Sequence, residues 1–176
     1  ELLTALKGGV PNEKIVFHGN NKSDKEIEFA VKNKIKVIVD NDYDLERLDE
    51  ISNSFNHDLE IMIRFTPGIE CHTHEYIRTG SFDSKFGFGI EYLNTLFNRI
   101  SNTKHLKLKG LHAHIGSQIF ELDPHKDLGE IMVKVILDAK KFGHNIEELN
   151  VGGGLGIRYT ESDDPPSIDE WVKTIS

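Results

Sequence analysis

Three consecutive glycines and a fourth close behind them, Gly152-Gly153-Gly154-Leu155-Gly156, stand directly after a β-rich run. With no side chains in the way, successive backbone N–H groups of such a turn can converge on one anion, and phosphate suits that geometry. A tight turn without a ligand is the alternative. The spacing is neither the G-x-G-x-x-G of a dinucleotide fold nor a P-loop ending in Gly-Lys-Ser/Thr. Ser117, just past the neighbouring strand in Ile115-Gly116-Ser117-Gln118, adds a hydroxyl within reach of the same phosphate. Side chains alternate along a strand, so His112 and His114 share one face, as do His18 and Asn20, and Arg64 and Thr66. Asp40 and Asn150 end two further strands. Five strand ends that all turn polar predict a wet, charged cup at one rim of a sheet. A metal centre is the competing chemistry, because His72 and His74 form one His-x-His pair and His112 and His114 another. No acidic ligand stands at a matched spacing, so no metal is assigned. Cys71, beside the first pair, reads as a small spare residue rather than a nucleophile.

The elements that must position these residues alternate. Lys14 to Asn20 is a short strand, and Ser23-Asp24-Lys25-Glu26 is a capping box opening a helix through Ile27, Ala30, Val31 and Ile35. Val37-Ile38-Val39 is a second strand, followed by a helix marked by Leu45, Leu48, Ile51 and Phe55. Leu59 to Phe65 is a third strand. The segment from Gly68 to Gly89 is too long for a routine connection and is read as a functional loop; a helix around Leu93, Leu96, Phe97 and Ile100 follows it. Leu106 to Ile115 is a fourth strand. Asp123-Pro124 supplies an N-cap and a proline at the first helical position, and that helix runs through Leu128, Ile131, Val135 and Leu137 to Gly143. Ile146 to Val151 is a fifth strand. Five βα units in alternation require a parallel sheet covered by helices. An incomplete eight-stranded barrel and an open doubly wound sheet both satisfy this. Polar residues at the carboxyl end of every strand favour the barrel.

Composition bounds the function. The 176 residues are 38% hydrophobic and 28% charged, with one cysteine and a formal charge of −8. A chain of this size needs no disulfide or structural metal to hold a core. Its negative charge argues against nucleic acid and anionic membranes as partners. No stretch approaches the roughly 20 apolar residues of a membrane span, and no secretory leader opens the sequence, so a cytoplasmic location is expected. The chain starts without Met inside a helical pattern and stops within another, which reads as an internal piece of a longer protein.

Four stretches resemble one family: Phe17-His18-Gly19-Asn20-Asn21-Lys22-Ser23; Pro67-Gly68-Ile69-Glu70 through His72-Thr73-His74-Glu75-Tyr76 to Ser84-Lys85-Phe86-Gly87; Gly110-Leu111-His112-Ala113-His114-Ile115-Gly116-Ser117-Gln118; and Leu149-Asn150-Val151-Gly152-Gly153-Gly154-Leu155-Gly156. Over essentially the whole chain they are similar to the diaminopimelate decarboxylase branch of the alanine-racemase-like pyridoxal-phosphate decarboxylases. The His-Ile-Gly-Ser and Gly-Gly-Gly elements are shared with ornithine, arginine and carboxynorspermidine decarboxylases, while the His-Thr-His-Glu-Tyr loop points to the first branch. The resemblance implies an α/β fold, an incomplete (β/α)8 TIM barrel, with residues 1–176 a partial domain that binds pyridoxal 5′-phosphate. It implies that His114 stacks on the cofactor ring, that Ser117 and the amides of Gly152, Gly153 and Gly154 hold the phosphate, and that His18 and Arg64 line the floor. Lys85 is placed near the dimer contact or the rim. The implied reaction removes the carboxylate at the D-configured carbon of meso-2,6-diaminopimelate to give L-lysine, in a cytoplasmic homodimer acting on a small amino acid.

The sequence departs from the family in three respects that matter for catalysis. The Schiff-base lysine belongs to a Tyr-Ala-x-Lys-Ala-like motif that does not occur here, and Lys7, Lys14 and Lys22 do not replace it. The glutamate that pairs with the pyridinium nitrogen and the C-terminal β-domain are likewise expected outside residues 1–176. No catalytic residue is therefore assigned, and the segment alone is expected to be inactive. A non-catalytic barrel that binds the same cofactor, or a related ornithine, arginine or carboxynorspermidine decarboxylase, is the alternative.

Overall fold

The computed structural model describes residues 1–69 and 86–176. Cys71, His72, His74 and Lys85 lie outside the described residues. Helix α1 (Leu2–Lys7) precedes strand β1 (Val16–Phe17), helix α2 (Asp24–Lys32), strand β2 (Lys36–Val39), helix α3 (Asp42–Phe55) and strand β3 (Leu59–Thr66). After the segment outside the description come β4 (Phe88–Gly89), α4 (Leu93–Ser101), β5 (Leu106–His112), α5 (Asp123–Lys141), β6 (Glu148–Asn150) and α6 (Ile168–Ile175).

Local chemistry explains where these elements start and which faces they bury. The Ser23–Glu26 capping box that opens α2 is formed, and a second, Ser167–Glu170, opens α6. Asn41 caps α3 by accepting from the Asp44 N–H at 2.9 Å, and Asn56 ends that helix in the left-handed conformation, φ 49°. The start of α5 differs from expectation: Leu122 occupies the cap and Asp123 is already helical. Its carboxylate still sits where the helix dipole favours negative charge. The buried stripe of α5 is Leu128, Met132, Val135 and Ala139, whereas Leu137 is 57% exposed. Nine residues at about 100° each put Leu137 half a turn away from Leu128. β4 was not expected; its two residues pair with the end of β3, Phe65 with Phe88 and Thr66 with Gly89.

All pairings are parallel, and the main path runs β1-β2-β3-β5-β6 in chain order. A doubly wound sheet reverses its order at a switch point; this one does not. Right-handed crossovers in a sequential order put every helix on the same face. The sheet is also curved. Lys36 on β2 forms ion pairs with Glu148 on β6 and, at 3.4 Å, with Glu60 on β3. Strands β2 and β6 are three spacings apart, roughly 14 Å, and side chains standing perpendicular to a flat sheet would remain that far apart. The structure is therefore an arc of a β/α barrel, and the doubly wound alternative is set aside. Ile27, Val31, Leu48, Leu96, Phe97, Ile100, Leu128 and Met132 fill the layer between helices and sheet. Val37, Val39, Ile61, Ile63, Leu108 and Leu111 meet them from the strands.

Candidate functional site

Parallel strands in sequential order bring every carboxyl end to one rim. There β1 delivers His18, β2 delivers Asp40, β3 delivers Arg64, β5 delivers His112 with His114 two residues on, and β6 delivers Asn150 followed by the glycine turn. The polar cup expected from the strand ends is present. His18 Nε2 lies 3.2 Å from Arg64 Nη1, and its ring meets the edge of His112 at 5.0 Å and 76°. Arg64, 9% exposed, is held over the Phe86 ring at 4.6 Å and lies 3.5 Å from Asp40 Oδ1. Thr66 Oγ1 donates to the Phe86 carbonyl at 2.8 Å, which ties down the backbone that carries that ring.

Behind the rim lies a pair that the sequence did not reveal. Lys22 and Asp44 form an ion pair at 2.5 Å with side chains 1% and 2% exposed. Lys22 also donates to the Gly19 carbonyl, and Asp44 accepts from the Asp40 N–H at 3.2 Å. One network thus ties the loop that carries His18 to the end of β2. Nothing in the sequence signals it, because the partners are separated by a whole helix and strand.

Burial at the rim disfavours the charged form of the imidazoles. Burial, helped by His112, Arg64, Lys22 and His114, pushes the His18 pKa down to about 4. Burial and then Arg64 lower His114. His112 is lowered chiefly by burial, against opposition from the backbone and side chain of Asn150. Asp40 is pushed up by burial and held back by Arg64, Lys22 and the Gly87 N–H. Its Oδ1 is buried without a hydrogen bond among the described residues.

The glycine turn follows β6 and packs against the end of β5. Gly152 has φ +71°, and a Cβ there would fall 2.7 Å from His114 Nδ1 and 2.8 Å from the Ala113 carbonyl. Gly154 has φ +110°, and its Cβ would fall 2.5 Å from the Gly116 carbonyl. Between them, Gly153 faces open space. The Gly152 N–H donates to Asn150 Oδ1 at 2.9 Å and the Gly153 N–H to His114 Nδ1 at a long 3.4 Å. The segments after β5 and β6 are stitched together: Ile119 N–H donates to the Gly154 carbonyl at 2.8 Å, and Gly156 N–H to the Ile119 carbonyl at 2.9 Å. The Gln118 side chain bonds Ile157 N and O, each at 2.9 Å. This holds the exposed Ser117 in the turn next to the glycines. With Gly153 open to space beside the His114 imidazole, and no carboxylate bonded to its amides among the described residues, the turn is chemically suited to an anionic, aromatic group. Among the described residues no three His, Cys, Asp or Glu side chains come together to hold a metal ion.

Comparison with known proteins adds to this geometry. Residues 1–176 match the family model described as pyridoxal-dependent decarboxylase, pyridoxal binding domain. The chain is 55% identical over 161 residues to a Synechocystis diaminopimelate decarboxylase, covering 92% of this chain and 34% of that protein. It is 41% identical over 181 residues to the Bacillus subtilis diaminopimelate decarboxylase, covering 99% and 41%. The crystal structure of a Helicobacter pylori diaminopimelate decarboxylase mutant complexed with L-lysine superposes with a TM-score of 0.91 at 31% identity, over 99% of this chain and 44% of that one. The chain thus spans less than half the length of these relatives.

Proposed function

The chain belongs to the pyridoxal-dependent decarboxylases, matching their pyridoxal-binding domain throughout, and from that premise we propose that it is the cofactor-holding part of a diaminopimelate decarboxylase. The whole protein would remove the carboxylate at the D-configured carbon of meso-2,6-diaminopimelate, giving L-lysine and carbon dioxide. The observation that carries this reading is the glycine turn, open at Gly153 and set against the His114 imidazole, in a chain whose relatives bear that name.

Gly152, Gly153, Gly154 and Ser117 would hold the phosphate of pyridoxal 5′-phosphate, with His114 against its ring and His18 and Arg64 beneath. When bound, the cofactor supplies the electron sink for the carbanion left by departing carbon dioxide. The protein's part is to fix the geometry. Asp40 and Phe86 restrain Arg64, and Arg64 in turn keeps His18 Nε2 bonded, so the floor is set before a ligand arrives. The lysine that would hold the cofactor covalently, and the β-domain that would select the substrate, come from outside residues 1–176, in a cytoplasmic homodimer. Among the described residues no helix is long and apolar enough to cross a membrane.

Two measurements test the reading. The protein that contains this chain should release carbon dioxide from meso-diaminopimelate and not from ornithine or arginine; the reverse preference would overturn the substrate assignment. His114→Ala should lower cofactor affinity, and undiminished retention with full turnover would refute the role given to this ring.

A further inference from the structure

The inner face of the arc carries a second charged group, at the opposite end of the strands from the cup. Side chains alternate along a strand, so Lys36 lies on the face of β2 that bears Asp40, Glu60 on the face of β3 that bears Arg64, and Glu148 on the face of β6 that bears Asn150. Four residues of strand put Lys36 and Glu60 about 13 Å below the cup. Ile38 and Met62, 1% and 2% exposed, fill the level between. The group therefore stands apart from the cofactor site.

Its charges do not balance. Lys36 Nζ pairs with Glu148 and, at 3.4 Å, with Glu60; the lysine side chain is 4% exposed, the two glutamates 48% and 53%. One buried ammonium thus serves two carboxylates. The neighbouring lysines are engaged elsewhere: Lys109 holds Glu147 at 2.5 Å, and Lys107 donates to the Lys104 carbonyl at 2.9 Å and lies 4.0 Å from Asp58. Among the described residues Glu148 stands on an end strand of the sheet, since β6 pairs with β5 alone. A barrel that closes takes this face out of water, and a carboxylate so placed is costly unless a cation meets it. At the other lip of the arc β1 offers only Val16, in register with Lys36 and 39% exposed, so the demand for positive charge lies on the β6 side. We infer that the strand that pairs with the free edge of β6, from outside residues 1–176, carries a lysine or arginine on its inner face beside Glu148. The amino end of the barrel is then an ionic layer of two cations and two carboxylates. The inference rests on the reading of this chain as part of a longer barrel protein.

The complete protein that contains this chain provides the test. Its crystal structure should show a basic nitrogen from that strand within about 4 Å of the Glu148 or Glu60 carboxylate, the reach of an ion pair. In urea unfolding of the complete protein, Glu148→Gln and replacement of that basic residue by Met should couple by about tenfold in the unfolding equilibrium constant. Glu147→Gln, which alters a carboxylate held by Lys109, should show no coupling to the same replacement. An apolar, neutral or acidic side chain in that place, a cation delivered instead by another domain or by a second copy, or strictly additive variants would overturn the inference. If a variant does not fold, the crystal structure of the unaltered protein still decides. A structure in which no strand pairs with β6 removes the barrel reading and the inference together; a closed barrel without the cation removes the inference alone.

Discussion

Adding one methyl group at Gly152 should destabilise the fold and adding one at Gly153 should not, although the residues are adjacent. Gly152 sits at φ +71°, where any side chain strains the backbone by roughly 1–2 kcal/mol. Its Cβ would also lie 2.7 Å from His114 Nδ1 and 2.8 Å from a backbone carbonyl. The imidazole can swing away, but the carbonyl of Ala113 is fixed by the β5–β6 pairing that Ala113 N–H extends to Asn150. Gly152→Ala should therefore cost about 2–3 kcal/mol in total, a fall in Tm of roughly 5–10 °C for a chain of this length. It should also displace His114. At Gly153 φ is not positive and the added atom meets nothing within 4 Å, so Gly153→Ala should leave stability within about 0.5 kcal/mol. Gly153→Val should spare the fold but weaken phosphate anchoring, because its branches would occupy the open space at the turn. Thermal and urea unfolding, with titration by pyridoxal 5′-phosphate and by unphosphorylated pyridoxal, separate the two effects. Equal destabilisation at both positions, or unchanged phosphate dependence in Gly153→Val, would refute the reasoning.

Lys22→Met would strand the Asp44 carboxylate without its buried partner, and unfolding should become easier by about 3–5 kcal/mol. The double change Lys22→Met/Asp44→Leu should recover much of that; urea midpoints for the four variants give the coupling, and simple additivity would count against a buried pair. Stability should also fall with acid. His18 has its folded pKa depressed to about 4, and His112 and His114 are lowered too, so the unfolded chain binds more protons below its ordinary histidine range near 6.5. The contribution of His18 is complete above about pH 6.5 and is lost as the pH falls toward 4, and His112 and His114 act in the same direction. Urea midpoints measured across that window should decline, and should decline less in His18→Gln; a flat profile would contradict the shift.

The elements themselves were legible because they depend on local chemistry. A capping box at Ser23, apolar spacing at Ile27, Ala30 and Val31, and five β-rich runs are properties of neighbouring residues, and each is found in the fold. The glycines could be singled out for the same reason, since only glycine tolerates a φ of +71° beside the contacts at position 152. The two residues of β4 and the identity of the α5 cap were not legible, because short pairings and helix starts are settled by what packs around them. Barrel or open sheet was likewise undecided in the sequence, and strand order and curvature decided it, as Lys36 reaching Glu148 shows. The same curvature brings His18 onto His112, while Lys22 meets Asp44 because each follows one of the neighbouring strands β1 and β2. Periodicity reports which face a side chain takes on its own element; which residues of distant elements meet follows only from the packing of strands around a common axis.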